Sequence, residues 1–579
     1  MTSPTNPSLG LLDKLLHRIE GTPPSDRLFL RVLFFLVIAT GIWFALSFND
    51  DRSAITPTRG GTITEGIVGT PRFVNPALAL TRADQDVTTL VYSGLMRIDN
   101  QGNLVNDLAE TIVVSDDGLT YNVVLKKDVT FHDGTPLTAR DVVFTIKLIQ
   151  DPDLKSPLRG NWSDVTIEEI NEYELNVVLE EAYAPFIENF TFGIMPAHAW
   201  SSLPIEQLPF SQLNTEPIGS GPFRIESAKR DTSGLISNYN LVAYRQTTSD
   251  SKIDGIKLNF YQNESALLNA LDARDIDATA YLSTNQIEKV LEDGYKLVEE
   301  PLPRVFGIFF NQNRSAALRD TTARKALTIA LDRPALIDSA LHGYGVPTAS
   351  PTLLGSTTLQ SNDGITDTAT STPANQAIAL LKSGGWTQDS LGTWEKKIND
   401  EMVPLRITLR TSNTPLFGSL VDSVSKQWEA IGVSVTTEQF EQADLVQSVI
   451  RPRDFEALLF GLDMSRSYDL YPFWHSSQQD DPGLNIAQYA NVEVDKLLET
   501  ARTEAYGPQR QATLREASDI ITSEHPAVFL FQPTLTYVVR EDMTITPIAR
   551  PGRPADRFNN ITEWHTESDS LWEFFRNDM

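Results

Sequence analysis

The sequence predicts an α/β protein of two or three domains, and three observations carry that prediction. Residues 118–147 (GLTYNVVLKKDVTFHDGTPLTARDVVFTIK) read as a strand, a tight turn and a capped helix. Residues 304–311 (RVFGIFFN) form a near-continuous apolar run of the kind that makes a strand buried on both faces, with a helix predicted from about Thr322. Residues 428–435 (WEAIGVSV) give a helix, a glycine stop and an alternating strand. At 579 residues the chain is too long for one core.

In the first of these units Tyr121, Val123 and Leu125 alternate with polar neighbours, the period of a half-buried strand. Asp133-Gly134 marks a turn, because aspartate can close on its own backbone and glycine accepts positive φ. Thr138 stands as a helix N-cap with Asp141 three residues on, and Val142, Ile146 and Ile149 follow on one face.

Composition narrows the function. The net charge of −28 excludes a nucleic-acid partner, since phosphate binding needs a basic surface. Hydrophobic residues at 41% and charged residues at 21% describe an ordinary globular protein. The absence of cysteine excludes disulfides, thiolate metal sites and a cysteine nucleophile.

Residues 28–48 (LFLRVLFFLVIATGIWFALSF) form an apolar run broken only by Arg31, and about 20 such residues cross a bilayer core. Lys14, Arg18 and Arg27 precede the run and Asn49, Asp50 and Asp51 follow it. The positive-inside bias then predicts a cytoplasmic segment over 1–27, a transmembrane helix over 28–48 that contacts the lipid bilayer, and an extracellular or periplasmic remainder. The alternative is a cleaved signal peptide with a small-residue site at Ala45-Leu46-Ser47. A polar stalk over 49–59 leads to the folded region at Gly60-Gly61.

Catalytic readings find little support. His132-Asp133 offers an acid/base pair with no nucleophile nearby, and Gly219-Ser220-Gly221 has the wrong spacing for a nucleophile elbow. The seven histidines form no H-x-x-x-H pair, so no sequence-local metal site is predicted. No enzyme activity and no cofactor are expected.

The wording FHDG-x-PLTA-x-DVVF resembles the signature of the family 5 extracellular solute-binding proteins, the dipeptide-, oligopeptide- and nickel-binding receptors of ABC importers. Other segments resemble the same family in its order: GGTITEGIVGTPRFVNP from Gly60, LVYSGLMRIDNQGNLVN from Leu90, Ala184-Pro185-Phe186, PIGSGPF from Pro217, RVFGIFFN, and DFEALLFGLDMSRSYDLYPFW from Asp454. The resemblance implies a periplasmic-binding-protein-like two-lobe fold (type II) with an extra inserted domain. It places lobe I over 60–97, 211–305 and 531–579, the inserted domain over 98–210 and lobe II over 306–530. It also implies a monomer that captures a peptide or other small solute by lobe closure and delivers it to ABC permease subunits. The rival readings are a surface sensor or chaperone-like peptide receptor without a transporter, and a hydrolase built on the same scaffold.

For the site, the resemblance points to Asp463, with Asp469 second, as the carboxylate that meets a ligand ammonium. An acid in a closed cleft pairs well with an amine because desolvation strengthens the charge-assisted bond. Arg466 could meet a ligand carboxylate through its two-pronged guanidinium. Ser412 and Asn413 fall in the second-lobe ligand loop. Phe73, Tyr92, Phe473 and Trp474 are candidate aromatic walls. The arginine that dipeptide binders carry near residues 410–415 has no clear counterpart, which argues against strict dipeptide specificity.

Overall fold

The computed structural model describes residues 23–50, 53–245, 251–352, 372–566 and 568–572. Lys14 and Arg18, on which the orientation of the N-terminal segment rests, lie outside them. Two units are distinguished: residues 1–58 with 567–579, and residues 59–566.

In the smaller unit a helix runs over Pro24–Asp50 and is followed by a two-stranded ribbon. Its backbone is about 40 Å long at 1.5 Å per residue. Phe29, Phe35 and Trp43 stand exposed on it. Among the described residues no helix is long and apolar enough to cross a membrane; side chains are described without a break only over 32–44. The ribbon pairs Ser53–Pro57 antiparallel with Ser568–Trp572, setting Ser53 opposite Trp572. No sequence pattern announced that pairing, because both strands are only five residues long and lie more than 500 residues apart.

The larger unit is built on a twelve-stranded mixed sheet. One half contains Ser434–Phe440, Arg406–Ser412, Ala457–Asp463 and Arg304–Phe310 in that order. The other half, the first half in chain order (the former being the second), contains Ala278–Thr279, Thr62–Val68, Gly255–Tyr261, Ile236–Ala243 and Phe223–Arg230. The long strand Ala527–Arg540 joins them. Its first part pairs with Arg304–Phe310 and its last part with Tyr295–Pro301. The chain thus crosses between the halves at Leu302-Pro303 and at Gln532-Pro533, and the Leu302 N–H donates to the Pro533 carbonyl at 3.0 Å.

Arg304–Phe310 is buried from Val305 onward, which explains its unbroken apolar character. It separates two cores of the second half, one around Trp428 and Phe531 and one around Trp474 and Phe529.

A separate four-stranded sheet lies within 98–210, made of Ala109–Val114, Thr120–Leu125, Glu174–Leu179 and Val165–Asn171. Tyr121, Val123 and Leu125 are buried as the alternation predicts. The helix Ala139–Gln150 carries the Thr138/Asp141 capping box and buries Val142, Ile146 and Ile149. This sheet shares one continuous core with the first half, joining Trp162 and Phe186 to Ile63 and Tyr537.

His132 fastens that join. Its backbone N–H donates to the Gly219 carbonyl at 2.8 Å. Its ring Nδ1 accepts from the Gly219 N–H at 3.3 Å, so Nε2 carries the proton and donates to the Gly221 carbonyl at 3.0 Å. Gly219 and Gly221 sit so close to the Val91 backbone that a Cβ at either would overlap it. The histidine is therefore a clamp on a glycine turn. Asp133 instead pairs with His198 at 2.7 Å.

Candidate functional site

A cavity of about 450 Å³ opens in the larger unit. Its walls come from the first half, the inserted sheet's 3₁₀ segment Ala184–Thr191, and the loop that follows strand Ala457–Asp463. The helix Arg82–Val91, capped by Thr81 and Asp84, turns Gln85, Thr88, Thr89 and the adjoining Tyr92 toward it. Those spacings of three and four place the four residues on one helical face. Tyr92 is buried, and burial pushes its phenol well above the ordinary value. Trp162 adds an aromatic wall.

The opposite wall is charged. Asp463 ends its strand directly across from Arg304, and the Arg304 guanidinium donates to Asp463 Oδ2 at 2.7 Å. Both side chains are about half exposed, at 45% for Arg304 and 55% for Asp463. The loop beyond Asp463 turns through Ser465 at φ 53° and Tyr468 at φ 49°, left-handed positions that cost non-glycine residues energy and mark a tightly determined loop. That loop carries Arg466 to an ion pair with buried Asp556. Gly552 leaves room for the approach, since a Cβ there would lie 2.8 Å from Arg466 Nε.

Asp556 belongs to the 3₁₀ turn Pro554–Phe558, where it also accepts from the N–H groups of Gly552 and Arg553 at 2.7 and 2.9 Å. Burial disfavours its ionised form, but Arg466, Arg553 and these backbone donors outweigh burial and hold its pKa below the ordinary value.

The turn is pinned from beneath by Arg557, which is buried against two acids. It donates to Glu65 Oε1 at 2.8 Å and to Asp86 Oδ1 and Oδ2 at 2.9 and 2.7 Å. Tyr537 and Tyr281 donate their hydroxyls to Glu65 and Asp86 at 2.8 and 2.9 Å. Burial raises the Glu65 pKa despite the arginine. Asp86 lies on the helix Arg82–Val91, so the same cation ties the cavity's helix to the cavity's charged turn.

The inserted sheet's side is bridged to the second half by two polar contacts. Tyr506 donates to Glu188 at 2.5 Å, and Tyr183 donates to Asp469 at 3.1 Å while Arg502 holds the same carboxylate at 3.0 Å. Burial raises the Glu188 pKa, the Tyr506 hydroxyl opposing it.

Of the residues singled out from sequence, Asp463, Arg466 and Tyr92 line the cavity. The others do not. Asp469 is buried in its bonds to Arg502 and Tyr183 and is a bridge between walls. Trp474 is fully buried among Phe309, Tyr489 and Phe529, and Phe473 packs in the same core. Phe73 is placed by its backbone N–H on Asp84 at 2.8 Å, away from the cavity wall. Ser412 is buried at a strand end and Asn413 donates to Glu441 at 2.7 Å. Arg410 is bound to Glu438 and Asp454, so it offers no free guanidinium. Sequence reasoning missed Arg97, Arg304, Glu188, Arg553 and Asp556. The Arg553-Pro554-x-Asp556 spacing carried a helix-start signal, with proline at the first position and an acid at the third.

Two halves joined by two crossings, with a polar-walled cavity, have the layout of a bilobal solute-binding fold. The family model for bacterial extracellular solute-binding proteins, family 5, matches residues 103–482, and the chain belongs to that family. It is 28% identical over 500 residues to the oligopeptide-binding protein AppA of Bacillus subtilis, covering 85% of this chain and 90% of that protein. The structure of that AppA in complex with a nonapeptide matches with a TM-score of 0.62 at 26% identity, over 88% of this chain and 99% of that one. The substrate-binding protein CtaP of Listeria monocytogenes matches with a TM-score of 0.70 at 24% identity, over 88% of this chain and all of that one, a likeness of fold. These relatives are binding proteins, not enzymes.

Proposed function

We propose that this protein is the membrane-anchored extracellular substrate-binding subunit of an ABC importer, capturing peptides by lobe closure and delivering them to a permease. The observation that carries the reading is the cavity walled by both sides of a two-crossing hinge, with Asp463 at a strand end and Arg466 on the loop that follows it. Hinge closure over a ligand is the motion such a pair of crossings permits. Asp463 keeps Oδ1 open for a ligand ammonium while Oδ2 is held by Arg304. The relative's nonapeptide complex supports peptides as the ligand class.

The anchor rests on the exposed apolar side chains of helix Pro24–Asp50 and on the charge asymmetry around it. In that reading the N-terminus is cytoplasmic and the folded unit lies outside the membrane, as a monomer.

Purification of the full chain from native membranes in mild detergent, followed by mass spectrometry, tests these claims together. Co-purifying permease subunits and unmodified peptides are expected. Peptides without any permease would favour a sensor, and a chain recovered from the soluble fraction would overturn the anchor.

A further inference from the structure

We propose that the cavity selects acidic short peptides, and that Arg97, Arg304 and Arg553 act with Arg466 to read the additional ligand carboxylate. The proposal rests on the peptide-receptor reading above and names the ligand class within it.

The wall's hydrogen-bonding inventory is lopsided. Its acids are already engaged: Asp463 Oδ2 by Arg304, Asp556 by two arginines and two backbone N–H groups, Glu188 by Tyr506, and Asp107 likewise has a partner. Its cations keep donors in reserve. The side chain of Arg97, half-buried in the cavity wall, makes no hydrogen bond or ion pair among the described residues. Arg553 commits only Nε, and Arg304, outside the lining but bonded to Asp463 at its edge, commits one nitrogen; both side chains are more than two-fifths exposed. Arg466 Nη1 is buried with no partner among the described residues.

A guanidinium carries five N–H donors and no acceptor, so these arginines can be satisfied only by oxygen atoms from a ligand or from water. Leaving a buried charged donor unmade is costly, and a carboxylate meets the planar fork with two parallel bonds. For a ligand ammonium, by contrast, Asp463 offers Oδ1 alone, since Arg304 holds Oδ2. The chain as a whole carries −28, so its general field repels anions and any preference for them must come from this local cluster. A volume of about 450 Å³ sits in the lower half of the ~300–1,000 Å³ range of small-ligand sites, which suits a short peptide.

The test is calorimetric titration of the detergent-solubilised full chain with matched tripeptides: Glu-Ala-Ala against Gln-Ala-Ala, and Ala-Glu-Ala against Ala-Gln-Ala. Each pair differs by one charge and almost nothing in size. In at least one pair the glutamate peptide should bind about tenfold tighter, ~1.4 kcal/mol. Arg97→Gln and Arg553→Gln should each shrink that ratio toward one and reduce its salt dependence. Measurable binding of all four peptides with ratios within about threefold would overturn the selectivity and leave the peptide receptor standing. Ratios unchanged in both variants would overturn the assignment to these arginines. If no tripeptide binds, the receptor reading fails and takes the proposal with it.

Discussion

Arg304 and Asp463 occupy directly opposed positions on neighbouring antiparallel strands, 159 residues apart in sequence, with the guanidinium 2.7 Å from the carboxylate. Because both side chains are about half exposed, the pair adds little to stability, ~0–1 kcal/mol. Its consequence is for ligand: Arg304 orients Asp463 and leaves one oxygen to the cavity. Asp463→Asn should weaken peptides with a free amine by about tenfold or more and leave N-acetylated peptides almost unaffected. Equal losses for both, by calorimetry, would remove Asp463 from the ammonium site.

His132 makes a pH prediction with a definite sign. Burial pushes its pKa down to about 4 from an ordinary 6.5, so the folded protein holds it neutral. The unfolded chain binds a proton first as pH falls, and stability is lost from about pH 6.5 toward pH 4, by at most roughly 3 kcal/mol. Thermal unfolding of His132→Gln should start from a lower Tm at pH 7 and fall less steeply toward pH 5 than the parent. Parallel slopes would show that His132 does not carry the effect.

Arg557 is the cation between Glu65 and Asp86. Arg557→Met leaves two buried acids facing each other and should cost about 3–5 kcal/mol in urea unfolding. The triple change with Glu65→Gln and Asp86→Asn should recover part of that loss, since the acids then no longer need a countercharge. No recovery would mean that the arginine acts through packing on Phe558 and Tyr537 instead.

Tyr506→Phe removes the hydroxyl that Glu188 accepts from across the cavity's rim. Losing this solvent-exposed hydrogen bond costs about 0.5–1.5 kcal/mol in the bridged form. Ligand should therefore dissociate faster with little change in association, read by stopped-flow fluorescence of Trp162 in the cavity wall. An unchanged dissociation rate would show that the contact does not stabilise the bound form.

The elements of the fold were legible where burial leaves a local period. The strand Thr120–Leu125 alternates because one face is covered, and Arg304–Phe310 is apolar throughout because both faces are. The Thr138/Asp141 capping box was legible for a similar reason, since its geometry is satisfied within a few residues; the Gly219–Gly221 turn, by contrast, owes its glycines to the distant Val91 backbone. The site was legible in part. Asp463, Arg466 and Tyr92 reach the cavity, whereas Trp474 and Phe473, equally aromatic in sequence, go to the core behind it. An aromatic ring has no local mark that separates a wall from a core.

By itself, then, the sequence determined an α/β chain, its receptor family and its cysteine-free chemistry. Only the tertiary structure decided which charges meet. Asp469, six residues beyond the end of strand Ala457–Asp463, is drawn to Arg502 and Tyr183, while Asp463 faces Arg304 and the cavity. Arg466 finds Asp556 ninety residues away, and Arg557 finds Glu65 across 492. Periodicity within a window sets the elements. Sheet register and burial across hundreds of residues choose the partners, and with them the site.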